Sequence, residues 1–248
     1  MQYIPHVFLV LIGICVGSFL NVCIYRIPQG EGIVAGSSHC MNCKKTLKWY
    51  ELIPVFSYIA LRGKCSKCKI NLSLQYPLIE LSNGILWLLV YLKFGFKIDT
   101  IIGCLFASAL LTLAMIDAKT KEIPFGINIF IGILALINVG LHYTQIMSHI
   151  WGLLVITIFL LLLFILSKGG AIGGGDVKLM GAAGLYLGLS KTLFAFFLAC
   201  LIGSIIHIIR MKFFGANREL AMGPYLAISL FISLLYGDSL INVYFSLF

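Results

Sequence analysis

Long apolar stretches separated by short polar segments dominate the pattern along the chain. Most of these stretches reach the length of about 17–25 residues that a helix needs to cross the hydrocarbon core of a bilayer. The pattern therefore predicts about eight transmembrane helices, with these approximate bounds: Tyr3–Tyr25, Leu78–Phe96, Thr100–Ile116, Phe125–His142, Ile150–Leu166, Val177–Leu189, Thr192–Ile209 and Leu220–Tyr236.

Two apolar segments are too short to cross a bilayer by themselves. Val177–Leu189 is rich in Gly and Ala, and small residues allow close approach of helix backbones, so we expect this helix to be buried among the others. Ser239–Phe248 at the end of the chain is expected to be an interfacial tail.

Composition supports a membrane protein. Hydrophobic residues make up 60% of the chain and charged residues 11%, and the mean hydropathy is +1.04. These values exclude an ordinary soluble domain. We predict an all-α polytopic membrane protein with a small cytosolic zinc-binding module between helices 1 and 2.

Basic residues predict the orientation, because cytoplasmic loops of membrane proteins are enriched in Lys and Arg. If the segment after the first helix is cytosolic, 15 of the 18 Lys and Arg residues lie on that side, and only Lys93, Lys97 and Lys191 lie on the other. Both termini are then outside, and the first helix is not expected to be a cleaved signal peptide. The net charge of +9 indicates contact with anionic lipids rather than nucleic acid.

Residues 28–75 form the only sizeable segment predicted to be soluble. It contains the pairs Cys40/Cys43 and Cys65/Cys68, with 21 residues between the pairs. This spacing is typical of a structural zinc site with four thiolate ligands, and so short a segment would need a metal to fold. Disulfides or redox thiols are the alternative, which a cytosolic location disfavours. Glu51 is expected on a solvated loop face.

Two aspartates stand at the ends of apolar stretches. Asp117 follows Thr100–Ile116, and Asp176 follows three glycines and precedes Val177–Leu189. The orientation places both at the cytosolic membrane face, and acids at such a depth are usually functional. Two carboxyl groups that share a proton can act as acid and base on a peptide bond. Alternatively, Asp117 is a helix-end residue that hydrogen-bonds to nearby backbone or pairs with Lys119 or Lys121, and Asp176 is a helix N-cap.

Two further aspartates serve as a comparison. Asp99 and Asp238 are each expected in a short turn on the outer face, where capping would explain them.

Several motifs follow one another along the chain: Gly17–Pro28, the four-cysteine segment with Trp49–Pro54, Tyr76–Glu80, Ile116-Asp117 with Ile123-Pro124, Gly173–Leu179 and Gly223-Pro224-Tyr225. Taken in this order, they resemble the type IV prepilin peptidases, which are membrane aspartyl proteases of the GxGD class. The likeness covers nearly the whole chain. Ser37 and Phe125 depart from it, standing where the family often has Arg and Asp.

The resemblance implies a bifunctional enzyme of the bacterial inner membrane. Such enzymes cleave the short basic leader of prepilins and pseudopilins after Gly at the cytosolic face, and then methylate the new N-terminus with S-adenosylmethionine. It implies Asp117 and Asp176 as the catalytic pair, and a pilus or type II secretion assembly as the wider partner. It also implies that Cys40, Cys43, Cys65 and Cys68 are the zinc ligands.

The implied domains are a first helix at residues 1–27, the zinc module at 28–75 and a peptidase domain at 76–248. Glu80, an acid just inside the second helix, is a candidate for the methyl-transfer site or, alternatively, a hydrogen-bonding partner of Asn21 or Lys178. Without the resemblance, a proton-coupled transporter would also explain intramembrane acids, and a non-catalytic assembly scaffold is a third possibility.

Overall fold

A computed structural model gives the fold of the chain. The structure describes residues 4–34, 36–170, 172–214 and 220–246. Tyr3 of the first predicted helix and the last two residues of the predicted tail lie outside this part. The chain divides into two compact units, Met1–Phe96 and Lys97–Phe248.

Helices account for the regular structure of both units, and the described residues contain isolated β-bridges but no named strand. Among the described residues, the first unit contains three α-helices: α1 (Ile4–Arg26), α2 (Phe56–Ala60) and α3 (Gln75–Phe94). The described part of the second unit contains six α-helices: α4 (Ile98–Thr120), α5 (Phe125–Leu141), α6 (Ile146–Leu166), α7 (Gly174–Leu187), α8 (Leu189–Phe214) and α9 (Gly223–Ser246).

The predicted fold class is confirmed. Each of the eight apolar stretches is a helix, and six helices of the described residues are long and apolar enough to cross a membrane. The other two are α5 with 17 residues and α7 with 14 residues. The prediction of a multi-pass helical membrane protein therefore holds, while the count of eight spans stays a prediction.

Helix α9 corrects the prediction of a separate tail. It continues without interruption to Ser246, so neither an interfacial tail nor a turn at Asp238 forms there. Asp238 instead forms an ion pair with Lys191 of α8, with 2.7 Å between Oδ2 and Nζ. Asp99 likewise lies in the first turn of α4, and its carboxylate is 3.6 Å from Nε2 of His142.

Glycines bring α1 and α3 together in the first unit. A Cβ added to Gly13 would lie 3.0 Å from the Cα of Gly84, and one added to Gly17 would lie 2.7 Å from the Cα of Glu80. The Asn83 amide donates a hydrogen bond of 2.7 Å to the Gly13 carbonyl oxygen. Asn21 also bridges the pair by donating to the Tyr76 carbonyl oxygen at 3.1 Å, as expected for polar contacts between membrane helices.

Helix α7 is buried among its neighbours, as its small residues predicted. Its C-terminal carbonyl groups end inside the bundle, where water cannot pair them. Asn138 of α5 donates to the Tyr186 carbonyl oxygen at 2.9 Å, and the His149 ring on α6 lies 2.9 Å from the Leu185 carbonyl oxygen. Side chains of two neighbouring helices therefore complete the end of the short helix.

Helices α6 and α7 touch through glycines at this end. A Cβ added to Gly152 would lie 2.5 Å from the Gly184 carbonyl oxygen and 2.8 Å from the carbonyl carbon of Gly188. The contacting atoms are backbone atoms, which cannot rotate away as a flexible side chain can. The position of α7 therefore depends on the absence of a side chain at Gly152.

We predict that Gly152→Ala lowers the thermal stability of the protein in detergent, at a cost of about 1–3 kcal/mol for an overpacked contact. Gly132→Ala is the matched control, because a Cβ there would meet no atom within 4 Å, and it should leave the melting temperature unchanged or raise it. Equal melting temperatures for the two variants would contradict this account of the α6–α7 contact.

Candidate active site and metal centre

The structure places Asp117 and Asp176 at the same end of the second unit. Asp117 lies in the last turn of α4, and Asp176 is the third residue of α7. Helix α9 begins at this end and contacts both α4 and α7. Asp117 and Asp176 are therefore close enough for the charge of one carboxyl group to influence the other.

Asp117 is held by the backbone of another helix. Its side chain is buried, with 4% of its surface exposed, and its Oδ2 accepts a hydrogen bond of 2.8 Å from the N–H of Gly223. Gly223 is the first residue of α9, where N–H groups lack helical partners and the helix dipole favours an anion.

Gly223 has no room for a side chain. A Cβ at this position would lie 2.6 Å from Oδ2 of Asp117 and 2.8 Å from its carboxyl carbon. A larger residue would have to displace the carboxyl group or the start of α9. The sequence pattern named Gly223 only through a resemblance, and did not indicate that its N–H group binds an aspartate.

Asp176 is not itself the N-cap that we considered as an alternative. Gly173 is the N-cap of α7, and Asp176 is three residues further on. Its Oδ2 accepts a hydrogen bond of 3.2 Å from the Gly173 N–H group. Both carboxylates therefore bind a backbone N–H group at a helix N-terminus, which is an arrangement suited to holding negative charge.

A cavity of about 590 Å³ opens beside Asp176. Apart from this carboxyl group, glycine backbone lines one part of its wall and apolar side chains line most of the rest. Its lining residues include Gly169, Gly170, Gly173, Met180, Phe196 and Leu226. An extended peptide with apolar side chains would fit such a wall, and the carboxyl group of Asp176 would face it.

The glycines before Asp176 have different neighbours. A Cβ on Gly175 would lie 2.9 Å from the Cβ of Ile123, so Gly175 allows the segment before α5 to pack on α7. A Cβ on Gly174 would meet only the Phe164 ring, at 3.8 Å. We expected these glycines to admit a substrate backbone, and at Gly175 the structure shows an internal contact instead.

Glu80 accepts a hydrogen bond in the first unit. It is buried, with 6% of its surface exposed, and its Oε2 accepts a hydrogen bond of 2.7 Å from the Val55 N–H group. Asn21, an alternative partner, donates its amide to the carbonyl oxygens of Gly17 and Tyr76 instead. Glu80 as a methyl-transfer residue stays a prediction.

The four cysteines of the soluble segment come together. The Sγ atoms of Cys40, Cys43, Cys65 and Cys68 all lie within 4.8 Å of one another, with 3.8 Å between Cys40 and Cys68 and 3.9 Å between Cys43 and Cys65. Zinc–sulfur bonds of about 2.3 Å in a tetrahedron require sulfurs about 3.8 Å apart. The cluster therefore fits a zinc ion with four thiolate ligands.

The two cysteine pairs share one local structure. The N–H of Cys40 donates to the Lys45 carbonyl oxygen at 2.9 Å, and 25 positions later the N–H of Cys65 donates to the Ile70 carbonyl oxygen at 2.9 Å. Two β-bridges show the same spacing of 25 positions: His39 pairs with Thr46, and Lys64 pairs with Asn71. This repeat is visible in the sequence, where C-x-x-C-K is followed by Leu four residues after the second Cys, but we did not recognise it there.

Backbone N–H groups favour the thiolate form of the second cysteine pair, whereas burial and hydrogen bonds with the other cysteines raise the pKa of Cys43, in the first pair, to about 11. The N–H groups of Cys68 and Lys67 lower the pKa of Cys65 to about 6, and that of Ile70 lowers the pKa of Cys68. Because metal ligands must be deprotonated, these hydrogen bonds prepare the second pair for a cation.

Glu51 corrects a prediction, since it is buried rather than on a solvated loop face. Its Oε1 lies 2.8 Å from the Lys45 ammonium group, and it also accepts hydrogen bonds from the Ser66 hydroxyl and the Lys48 N–H group. These contacts, with Lys45 first, lower the pKa of Glu51 to about 2. Lys45 follows the first cysteine pair and Ser66 lies within the second. Glu51 therefore links the two cysteine pairs through its contacts with Lys45 and Ser66.

Two known protein families match the chain, one within each of the two compact units. Residues 11–94 match the Bacterial Peptidase A24 N-terminal domain, and residues 104–208 match the Type IV leader peptidase family. No solved structure gave a significant match.

Curated relatives match over nearly the full length. The chain is 32% identical to the prepilin leader peptidase/N-methyltransferase of Bacillus subtilis, over 95% of this chain and 96% of the relative. It is 30% identical to the proteins of the same name from Neisseria gonorrhoeae, over 92% and 90%, and Pseudomonas aeruginosa, over 95% and 91%. The chain therefore belongs to the type IV leader peptidase family, with the family's bacterial N-terminal domain ahead of the peptidase domain.

Proposed function

We propose that this protein cleaves the leader of prepilins and pseudopilins after Gly, with Asp117 and Asp176 as the acid and base, and then methylates the new N-terminus. The observation that carries the peptidase assignment is the paired carboxyl site itself. Asp117 is buried and held by the Gly223 N–H group, and Asp176 lines a largely apolar cavity with a glycine-rich edge.

Cleavage uses one ionised and one protonated carboxyl group. The ionised group removes a proton from a water, whose oxygen attacks the carbonyl carbon of the scissile peptide bond, while the protonated group donates to the carbonyl oxygen. The tetrahedral intermediate then collapses, the C–N bond breaks and the amine takes the transferred proton. The other carboxyl group recovers its own proton, so the pair is ready for another cycle.

The surroundings of the pair assist this chemistry. Backbone N–H groups hold both carboxyl groups, and such groups need no reorganisation during the reaction. The apolar walls of the cavity limit competing water and strengthen electrostatic interactions in the site. The glycine edge leaves room for the extended backbone of a leader peptide.

Methylation requires S-adenosylmethionine, which supplies the methyl group that the new amine attacks. The names of the curated relatives include this second activity. Within the first unit, Cys40, Cys43, Cys65 and Cys68 would hold zinc in a structural role, because four thiolates complete a tetrahedron and leave no open position. Glu80 remains a candidate for the methyl-transfer site.

Topology completes the proposal. The excess of basic residues on one side supports a topology in which the aspartate pair lies at the cytosolic face of the bacterial inner membrane and both termini lie outside. A leader would then be cut in the cytosol while the hydrophobic helix of the pilin stays in the bilayer, ready for a pilus or secretion assembly. The family match favours this proposal over a proton-coupled transporter or a scaffold.

The deciding experiment incubates the purified protein with a prepilin and S-adenosylmethionine and measures product masses. The proposal expects a mature pilin that begins after the leader Gly and carries one additional methyl group. An intact prepilin after incubation with folded, zinc-containing protein would refute it. A cleaved but unmethylated product would refute only the second activity.

We predict that Asp117→Asn and Asp176→Asn each lower the rate of leader cleavage at least about 100-fold, because neither variant can exchange the proton. Asn keeps the shape and an acceptor for the backbone N–H groups, so folding should persist. Asp99→Asn and Asp238→Asn are the controls, since these acids pair with His142 and Lys191. Normal cleavage by either site variant would show that the pair is misassigned.

We predict that Gly223→Ala lowers kcat about 100-fold with little change in KM, because a displacement of about 1 Å at a catalytic group has this effect. Gly126→Ala in the first turn of α5 should keep normal cleavage, since a Cβ there would meet no atom within 4 Å. If Gly223→Ala cleaved as fast as Gly126→Ala, the lack of a side chain at Gly223 would have no role in positioning Asp117.

We predict that the double variant Cys40→Ser and Cys43→Ser loses bound zinc and makes residues 28–75 susceptible to proteolysis, because the metal replaces a hydrophobic core there. Elemental analysis and limited proteolysis measure both effects. Cys15→Ser, which changes an exposed cysteine of α1, should retain the metal. Full zinc content in the double variant would exclude the four-thiolate site.

A further inference from the structure

Large apolar side chains are exposed on the soluble segment of the first unit. Trp49 is 78% exposed, Phe56 71% and Ile59 66%, and Tyr50 between them is also exposed. We call these four residues the aromatic ridge. Exposed apolar groups of this size are costly in water, and a cluster of them marks a surface that meets a partner or a membrane.

One hydrogen bond fixes the height of the aromatic ridge relative to α3. The Val55 N–H group, which lies between Trp49 and Ile59 in the chain, donates a hydrogen bond of 2.7 Å to Glu80. Glu80 is five positions after the first residue of α3. At about 1.5 Å per residue, Glu80 lies about 7.5 Å along the helix. The 20 residues of α3 span about 30 Å, which equals the hydrocarbon thickness, so Glu80 lies below the membrane surface.

The backbone at Val55 shows that this attachment is specific. Val55 has φ +63° and ψ −52°, a positive-φ backbone conformation outside the left-handed helical region and unfavourable for a β-branched residue. Such a conformation persists only when surrounding contacts hold it, and the buried Glu80 carboxylate provides one. The aromatic ridge therefore lies beside the part of α3 that contains Glu80. Leu78 and Leu81 of this part are also exposed, with 59% and 42% of their surfaces accessible.

Charge around the aromatic ridge is positive. Glu51 is neutralised by Lys45, whereas six basic residues of the segment have exposed side chains. Lys48 places its ammonium group 5.7 Å from the centre of the Tyr50 ring, which pairs a cation with an aromatic group as is common at membrane surfaces. The exposed basic residues are Lys44, Lys48, Arg62, Lys64, Lys67 and Lys69.

We infer that the aromatic ridge inserts into the boundary between lipid headgroups and acyl chains, in the leaflet next to the start of α3. The amphipathic rings of Trp49 and Tyr50 suit this depth, Phe56 and Ile59 enter the acyl region, and the basic side chains bind anionic headgroups. The zinc module then rests on the membrane at a fixed height instead of extending into water. This contact does not depend on the proposed peptidase activity.

The test places the full-length protein in nanodiscs of phosphatidylcholine with or without phosphatidylglycerol, with a fraction of the lipids brominated on the acyl chains to quench nearby tryptophan. The signal of Trp49 is the difference between the natural protein and Trp49→Phe, since Trp87 and Trp151 also emit. We expect blue-shifted Trp49 emission and loss of most of it to brominated lipid. The loss should be greater when phosphatidylglycerol is present.

Two variants separate insertion from a general effect of the bilayer. The double variant Phe56→Ser and Ile59→Ser should reduce the quenching of Trp49 at unchanged zinc content, whereas Val34→Ser, at a residue 94% exposed outside the ridge, should not. Trp49 emission that is not quenched by brominated lipid would overturn the inference. Emission that responds to S-adenosylmethionine or a prepilin peptide but not to lipid would assign the ridge to that ligand instead.

Discussion

Every backbone N–H and C=O group that is buried in an apolar helix bundle needs a hydrogen-bonding partner. The rest of the structure depends on this constraint at the short helix α7. Its 14 residues cover about 21 Å, less than the thickness of a bilayer core, so its C-terminal carbonyl groups end inside the second unit. Asn138 and His149 pair two of them. Because this end is anchored by neighbouring helices, the other end can present Asp176 at a cavity.

The same requirement explains how the two aspartates are held. Each binds a backbone N–H group at the start of a helix, Gly223 for Asp117 and Gly173 for Asp176. Backbone groups cannot change rotamer, so the position of each carboxyl group follows from how α4, α7 and α9 pack. The two environments still differ, since Asp117 is buried and Asp176 lines a cavity, and this difference suits a pair that divides acid and base roles.

The soluble segment needs another source of stability, because it is too short to form much of a hydrophobic core. Four cysteines fit a metal, and Glu51 joins their two pairs through Lys45 and Ser66. A single buried acid, Glu80, then ties the segment to α3 through the Val55 N–H group. The large apolar side chains that remain outside this small structure are those we assign to the lipid boundary.

Hydropathy and motif spacing in the sequence were sufficient to predict the helical membrane class, the approximate position of each long helix apart from the end of α9, and the four-cysteine cluster. These features depend on composition over many residues or on the fixed geometry of a zinc knuckle, so local patterns specify them. The continuation of α9 past Asp238 was not predicted in this way, because Gly237 and Asp238 are typical turn residues, and the contact of Asp238 with Lys191 on another helix is visible only in the structure. The buried state of Glu51 likewise depends on Ser66, a residue beyond its local sequence.

The sequence by itself determined which residue types are present to carry the chemistry: two aspartates at helix ends, four thiols in two pairs, and glycines next to the acids. Only the tertiary structure decided that Asp117 binds the N–H group of Gly223, 106 residues later in the chain, and that Glu80 holds Val55. The physical reason is that a backbone N–H group leaves no mark in the sequence. Its partner is chosen when helices distant in the chain pack together and each buried carboxylate takes the donor that lies within reach.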